Sequence, residues 1–529
     1  MADAPTTEST HYDIIVIGSG AGGGTLAYAM ANAGKKILIL ERGQPLPQEP
    51  QNWDPHEVFV KHRYRTKEKW LDKANKPFIP NTNYWVGGNT TFYGAALMRF
   101  KKRDFEAVQH ADGLSPEWPL AYTDYAPYYD KAEKLWRVHG ERGIDPNDLP
   151  DDPPYPYPPL MDDPGVAKLK KHFQDIGWHP SPLPLGVNRD DSNPQTSHCV
   201  RCTTCGGFPC LLKAKSDART IVIEPIAQLP NVTLLPGHKA IRLETDGTGK
   251  TVTAVVTENE TGALQSFKGD IFVVAAGAAN TAALLLRSHS AQHPNGLANG
   301  SDQVGRNYMF HTTSAVISIM ADPFDSPFPK TFAVNDFYFG DPDGSYDFPM
   351  GQIQLLEFMT GQTLEGQISD IIPPALIPNF LTDDIARHMV AFLTMSEDLP
   401  MPDNRVTVSD DGQIKLTYTP NNLSSHLRLT RKLENGLKKF SLRQHTLFEP
   451  HFAIDQLLPL YGTAHQCGTV RFGKDPQSSA LDVNCKAHEL DNLYVTDTSF
   501  FVSASAVNPT LTTVANALRV GDHLIDRLS

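Results

Sequence analysis

The sequence predicts an α/β protein. A Rossmann-like nucleotide domain, assembled from segments far apart in the chain, is joined to a second domain with a mainly antiparallel sheet. Three observations carry this. Residues 12–43 read as strand, glycine-rich turn, helix, strand and acid. Strand-then-helix order returns at 270–288 and again at 493–528. Between about 311 and 470 it lapses into short apolar runs with hairpin signals. The expected division is 1–310 with 471–529 as the nucleotide domain, carrying a loop-rich, cysteine-containing insertion at about 140–215, and 311–470 as the substrate domain.

Composition narrows the class. A length of 529 residues suits two or more domains. The 40% hydrophobic and 20% charged content is that of an ordinary globular protein. A net charge of −13 argues against nucleic acid or an anionic membrane as partner. No apolar run is long enough to span a bilayer. The first eleven residues lack a basic stretch followed by an apolar one, so a cytoplasmic location is the default expectation.

Tyr12 to Ile17 is apolar and β-branched, as a buried parallel strand should be. Gly18, Gly20 and Gly23 follow at G-x-G-x-x-G spacing, then a helix is expected from Thr25 to Ala33 with Gly34 as its stop. Gly18 permits the tight turn, Gly20 lets a pyrophosphate approach the backbone, and Gly23 lets helix and strand pack closely. The helix N-terminus offers free N–H groups to phosphates. A second strand, Ile37 to Leu40, ends at Glu41, whose carboxylate suits ribose hydroxyls. This context points to a dinucleotide, with NAD or FAD undecided by these residues.

Tyr84 to Gly94 contains Gly87-Gly88-Asn89-Thr90, a loop able to lie against a flat ligand. A helix is expected from about Thr123 to Val138, with Tyr125, Tyr128 and Tyr129 in the core, then a proline-rich loop over 145–160. Cys199, Cys202, Cys205 and Cys210 stand close together. Three readings stay open for them: reduced structural thiols, an iron–sulfur or metal site, or a disulfide. Lys213, Lys215 and Arg219 are read as solvating that surface.

A meander is expected from Val232–Leu235, Ala240–Glu244, Val252–Glu258 and Gln265–Lys268, followed by a separate buried strand, Asp270 to Gly277, and a helix from Asn280 to Ser288. In the second domain, strands are expected at Ser314–Ala321, Gln352–Phe358 and Met389–Met395, with a hairpin over Arg405–Ser409 and Gln413–Thr419. Leu433, Leu437 and Phe440 mark one face of a helix. The chain closes with a strand ending at Asp497, a small-residue loop through Asn508-Pro509-Thr510, and a helix from Thr513 to Leu528. Ligands lie at such carboxyl ends of parallel strands.

Taken in order, these segments resemble the glucose–methanol–choline (GMC) family of FAD-dependent oxidoreductases, nearly end to end. The 12–43 fingerprint resembles that family's ADP-binding turn, and Val86 to Gly94 its flavin-attachment loop. Gly277 to Ser288 resembles its second signature. Val304 to His311 resembles its V-G-x-N-L-x-D-H element, with Phe310 at the usual Asp position. His465-x-x-Gly468-Thr469 and Asn508-Pro509 resemble its catalytic pair.

The resemblance implies FAD. It implies cofactor contacts from Gly18, Gly20, Gly23, Glu41, Arg42, Gly87, Gly88, Asn89, Thr90, Ala276, Asp497, Pro509 and Thr510. Phe92 stands where some relatives carry a flavin-bonded His, so FAD is expected to be non-covalent. The implied reaction takes an alcohol to a carbonyl by hydride transfer to flavin N5, with His465 as base and Asn508 as hydrogen-bond donor to the substrate oxygen. His311 and His488 are read as structural. A sugar, glycoside or polyol is the expected substrate. Long-chain or sterol alcohols, or a non-redox FAD-containing lyase, are the alternatives. Oxygen, a quinone or an electron-transfer protein is the expected acceptor.

Overall fold

The computed structural model describes residues 11–320, 322–324, 326–358, 360–363, 386–443, 451–453, 457–460, 462 and 464–529. Ala321, the expected end of one strand, and Tyr461 and Thr463 of the His465 segment lie outside the described residues.

The first sheet is built on β1 (His11–Ile17), whose Ile14, Ile15 and Val16 are fully buried, as an interior parallel strand requires. On one side it pairs with β2 (Ile37–Leu40), and β2 with β3 (Val232–Leu235), all parallel. On the other side β1 pairs parallel with β6 (Leu264–Val274). The short β7 (Leu493–Val495) continues the parallel set along the far edge of β6. β4 (His238–Thr245) and β5 (Val252–Asn259) form an antiparallel meander with the first half of β6.

Two expectations are corrected here. Val232–Leu235 does not open the meander, since it adds to the opposite edge of the sheet beside β2. Gln265–Lys268 and Asp270–Gly277 are not separate strands. Gly269 is passed without a break, and β6 exchanges one neighbour for another along its length, pairing β5 up to Lys268 and β7 from Phe272.

Helix α1 (Ala21–Met30) begins four residues before Thr25. Its first turn takes in Gly22, Gly23 and Gly24, poor helix formers that sequence reasoning leaves outside. Packing decides otherwise: a Cβ on Gly22 would lie 2.3 Å from the Thr496 carbonyl oxygen, and one on Gly23 2.1 Å from that of Gly18. α2 (Ala278–Arg287) follows β6, and α3 (Thr510–Leu528) closes the chain. The helix Tyr122–Leu135 braces α3 through Tyr129 Oη and Thr512 Oγ1, 2.7 Å apart; Tyr125 and Tyr129 are core residues as expected, Tyr122 joins them, and Tyr128, also expected in the core, is only half-buried at its edge.

The second sheet is antiparallel, ordered 451–453, 312–319, 389–396, 352–355, 332–334 and 181–182. Helices Pro164–Asp175 and Leu423–Arg443 cover one face, around Phe173, Phe332, Phe392, Leu429 and Leu433. The edge strand Ser181–Pro182 comes from within the 140–215 stretch. The hairpin Arg405–Val408 with Ile414–Thr417 forms as read, but pairs with Trp70–Leu71 and not with the second sheet.

Candidate active site

A cavity of about 970 Å³ runs between the carboxyl ends of β1, β2 and β6 and the uncovered face of the second sheet. Its nucleotide half is shaped by backbone. Gly18 adopts φ +108°, and a Cβ there would lie 2.2 Å from the Ala275 oxygen, so only glycine makes this turn. Gly20 caps α1 and a Cβ on it would meet nothing within 4 Å, leaving the helix N-terminus open to a ligand. Glu41 accepts from the Ser19 N–H (3.0 Å), the Ser19 hydroxyl (2.6 Å) and the Gly43 N–H (2.8 Å). Burial pushes its pKa up while these bonds pull it down.

Ser19 is a residue that sequence reasoning missed. Its Oγ also accepts from the Gly87 N–H at 3.0 Å, locking the fingerprint turn to the flavin-loop segment. Gly87 and Gly88 both have positive φ, +97° and +60°, and Gly88 packs against Gly20. Asn89 accepts from the Asn83 N–H at 2.7 Å, and Thr90 Oγ1 from the Ala218 N–H at 2.9 Å.

Asp497 follows β7 and caps the short helix Thr498–Phe500, accepting from the Ser499 N–H at 2.9 Å. Its other oxygen accepts from the Gly277 N–H at 2.8 Å and from the Thr281 hydroxyl, tying the start of α2 to the same point. Pro509 caps α3, whose N-terminus at Thr510 opens into the cavity. Arg42, 3.5 Å from the Tyr84 ring centroid, stands with Lys239 and Arg287 at the end beyond Glu41. Two helix N-termini, an open Gly20 and cationic side chains suit a pyrophosphate-bearing cofactor. Of the expected contacts, Gly18, Gly20, Glu41, Arg42, Gly88, Asn89, Thr90, Ala276, Asp497, Pro509 and Thr510 line the cavity. Gly23 and Gly87 do not, and serve the packing behind it.

The other half, which holds His465 and Asn508, is set by strand register. Met309 and Cys467 form an antiparallel bridge, with N–H···O distances of 3.1 and 2.8 Å. Two residues along, that register faces His311 with His465, and their Nδ1 atoms lie 3.0 Å apart. His311 has φ +79°, a strained conformation for a non-glycine residue. Its Nε2 lies 3.1 Å from the Ala504 carbonyl oxygen. A carbonyl only accepts, so His311 Nε2 carries the proton. Burial pushes the His311 pKa down to about 4, so the ring is neutral and its Nδ1 is an acceptor. His465 Nδ1–H must then be the donor, which leaves the lone pair of His465 on Nε2. Asn508 Nδ2 lies 3.5 Å from that Nε2. Burial first, then the neighbouring His311 and Lys330, hold the His465 imidazole well below its usual range.

His311 was read as structural, yet it contacts His465 directly; no local motif signals a partner so distant in sequence. His488 Nε2 lies 3.0 Å from Ser479 Oγ and does not line the cavity. Phe310, at the usual Asp position, is buried against Tyr418 at 4.8 Å between ring centroids, and its N–H donates to Asp398 at 3.0 Å.

Cys199, Cys202, Cys205 and Cys210 are unpaired thiols. Among the described residues no group of three or more His, Cys, Asp or Glu is arranged to hold a metal ion. Lys215 does not solvate the surface. It is buried, and its ammonium donates to the carbonyls of Tyr93 (2.9 Å), Cys205 (2.8 Å) and Phe208 (2.8 Å). That clamp presses Gly206 to Phe208 against the flavin-loop segment as part of the cavity wall.

Family models described as GMC oxidoreductase match residues 12–313 and 372–517. The 6'''-hydroxyparomomycin C oxidase of Streptomyces lividus is 30% identical across 99% of this chain and 93% of its own. The 2-methyl-1,2-propanediol dehydrogenase of Mycolicibacterium austroafricanum is 27% identical across 99% of this chain and 97% of its own. A crystal structure of formate oxidase superimposes with a TM-score of 0.66 at 15% identity, covering 99% of both chains. The chain belongs to the GMC oxidoreductase family of FAD-binding flavoenzymes, and is an oxidoreductase acting on CH–OH groups. Among the described residues, no helix is long and apolar enough to cross a membrane.

Proposed function

We propose that this protein oxidises an alcohol carbon of a sugar, glycoside or polyol to a carbonyl, with His465 taking the hydroxyl proton. The observation that carries this is the His311–His465–Asn508 arrangement, which leaves an unprotonated Nε2 facing the cavity beside an amide donor. A substrate hydroxyl seated between them donates to His465 Nε2 and accepts from Asn508 Nδ2. FAD, when bound, supplies the hydride acceptor. Glu41, Asn89, Asp497 and the Asn508–Thr510 backbone are the groups proposed to hold it. Phe92 lines the cavity and offers no nucleophilic atom, which supports non-covalent attachment. Relatives whose names denote oxidation of an aminoglycoside and of a diol support the substrate class. Oxygen, a quinone or an electron-transfer protein would be the final electron acceptor.

A second reading is oxidation of a long-chain or sterol alcohol. It is favoured by the apolar side chains that the second sheet turns to the cavity, among them Ile317, Leu356 and Leu393. The test is anaerobic mixing of the FAD-loaded protein with sugars, polyols and long-chain alcohols while following oxidised-flavin absorbance. Bleaching by the hydroxyl-rich group is the expected result. Bleaching by long-chain alcohols alone would replace this reading with the second. Readmitting air then separates oxidase from dehydrogenase.

A further inference from the structure

We infer that Lys330 and Glu357 form a hydroxyl-recognition subsite, which binds an uncharged second hydroxyl, or a neighbouring pair, of the alcohol oxidised at His465. This rests on the alcohol-oxidation reading above. Both side chains line the cavity, with Lys330 Nζ 2.5 Å from Glu357 Oε1. Lys330 and Glu357 line the same cavity as His465, and Lys330 is one of the charges that His465 feels.

The chain makes room for this pair twice. A Cβ on Gly94 would lie 1.9 Å from Lys330 Nζ, and one on Gly206 would lie 2.0 Å from Glu357 Oε1. Gly94 ends the flavin-loop segment and Gly206 belongs to the wall clamped by Lys215. Two segments distant in sequence thus each lack a side chain where the ion pair sits.

Partner capacity points to a ligand. An ammonium has three N–H donors and a carboxylate has two acceptor oxygens. Among the described residues each group has only the other as a hydrogen-bond partner. Two donors on Lys330 and the Oε2 of Glu357 are left over. A vicinal diol matches them: one hydroxyl accepts from Lys330 and its neighbour donates to Glu357. The pair is already charge-neutral, so an uncharged polyol binds without unbalancing it. A purely bracing role is poorly served by these residues. A largely desolvated ion pair gains little over apolar side chains of similar size, and Ala315, Ile317, Leu356 and Leu393 form the wall nearby.

The experiment compares 1-hexanol, 1,2-hexanediol and sorbitol as anaerobic reductants of FAD-loaded protein, reading the apparent substrate affinity and the limiting rate of flavin bleaching. The unsubstituted protein is expected to favour the diol or sorbitol over 1-hexanol by about 100-fold in the ratio of rate to apparent dissociation constant. Glu357→Gln, and a double Lys330→Met/Glu357→Leu variant that leaves no lone buried charge, should cut that preference to about tenfold or less. The change should fall on apparent affinity, with FAD content and melting temperature retained. An unchanged preference in both variants would overturn the subsite while leaving alcohol oxidation standing. Absence of bleaching by any alcohol in the unsubstituted protein would overturn both.

Discussion

In the proposed reaction His465 acts as a base only in one tautomer, and His311 sets it. The Ala504 carbonyl fixes the proton on His311 Nε2, and His311 Nδ1 then holds the proton of His465 on Nδ1. Replacing His311 by Phe removes the acceptor; replacing it by Gln keeps one. Flavin reduction is therefore expected to slow by about 10- to 100-fold in His311→Phe and by less in His311→Gln, with FAD bound in both. Because burial lowers the His465 pKa, the neutral base persists to more acidic pH than a free imidazole would allow. The limiting rate in unsubstituted protein should stay flat from about pH 8 to about pH 6.5 and fall only below that. A half-loss of rate near pH 6.5 would contradict the burial of this base. His465 and Asn508 stand out in the sequence because each sits in a short motif with a defined neighbour, and the fold brings them together. His311, Lys330 and Glu357 do not, because their roles come from contacts between segments far apart in the chain.

At the scale of the element, the strand–turn–α1–strand unit was legible since all its determinants fall within residues 12–43. The start of α1 was misplaced because three glycines argue against helix by propensity, while close approach to Thr496 and Gly18 demands them. Val232–Leu235 was misplaced for a different reason: an apolar run signals a strand but not which edge of a sheet it joins. The glycines separate two effects. Gly20→Ala has open space around its new methyl, so the chain should fold with an unchanged apo melting temperature yet lose FAD affinity. Gly22→Ala drives a methyl to 2.3 Å from a backbone oxygen and should lower the melting temperature by several degrees even without FAD. Thermal melts with and without added FAD check both. Equal behaviour of the two variants would remove the phosphate-approach role from Gly20.

At the scale of the molecule, one cavity joins the carboxyl ends of the parallel strands of the first sheet to the open face of the antiparallel second sheet. The two sheets were legible from the change in periodicity near residue 311. Their membership was less so: Ser181–Pro182 completes the second sheet from far upstream, and the 405–417 hairpin pairs with Trp70–Leu71. Such pairings are set by tertiary packing and leave no local pattern. The clustered cysteines show the same limit: their spacing leaves thiols, a metal site or a disulfide open, and does not signal that the segment at Cys205 to Phe208 is held, through the Lys215 clamp, as cavity wall. The proposed reaction depends on a base that takes a hydroxyl proton as the alcohol is oxidised. The most direct test is single-turnover flavin bleaching by the best polyol, anaerobically, in unsubstituted and His465→Ala protein of equal FAD content. The account predicts bleaching at least about 1,000-fold slower in the variant. Equal rates would contradict it and remove His465 from the chemistry.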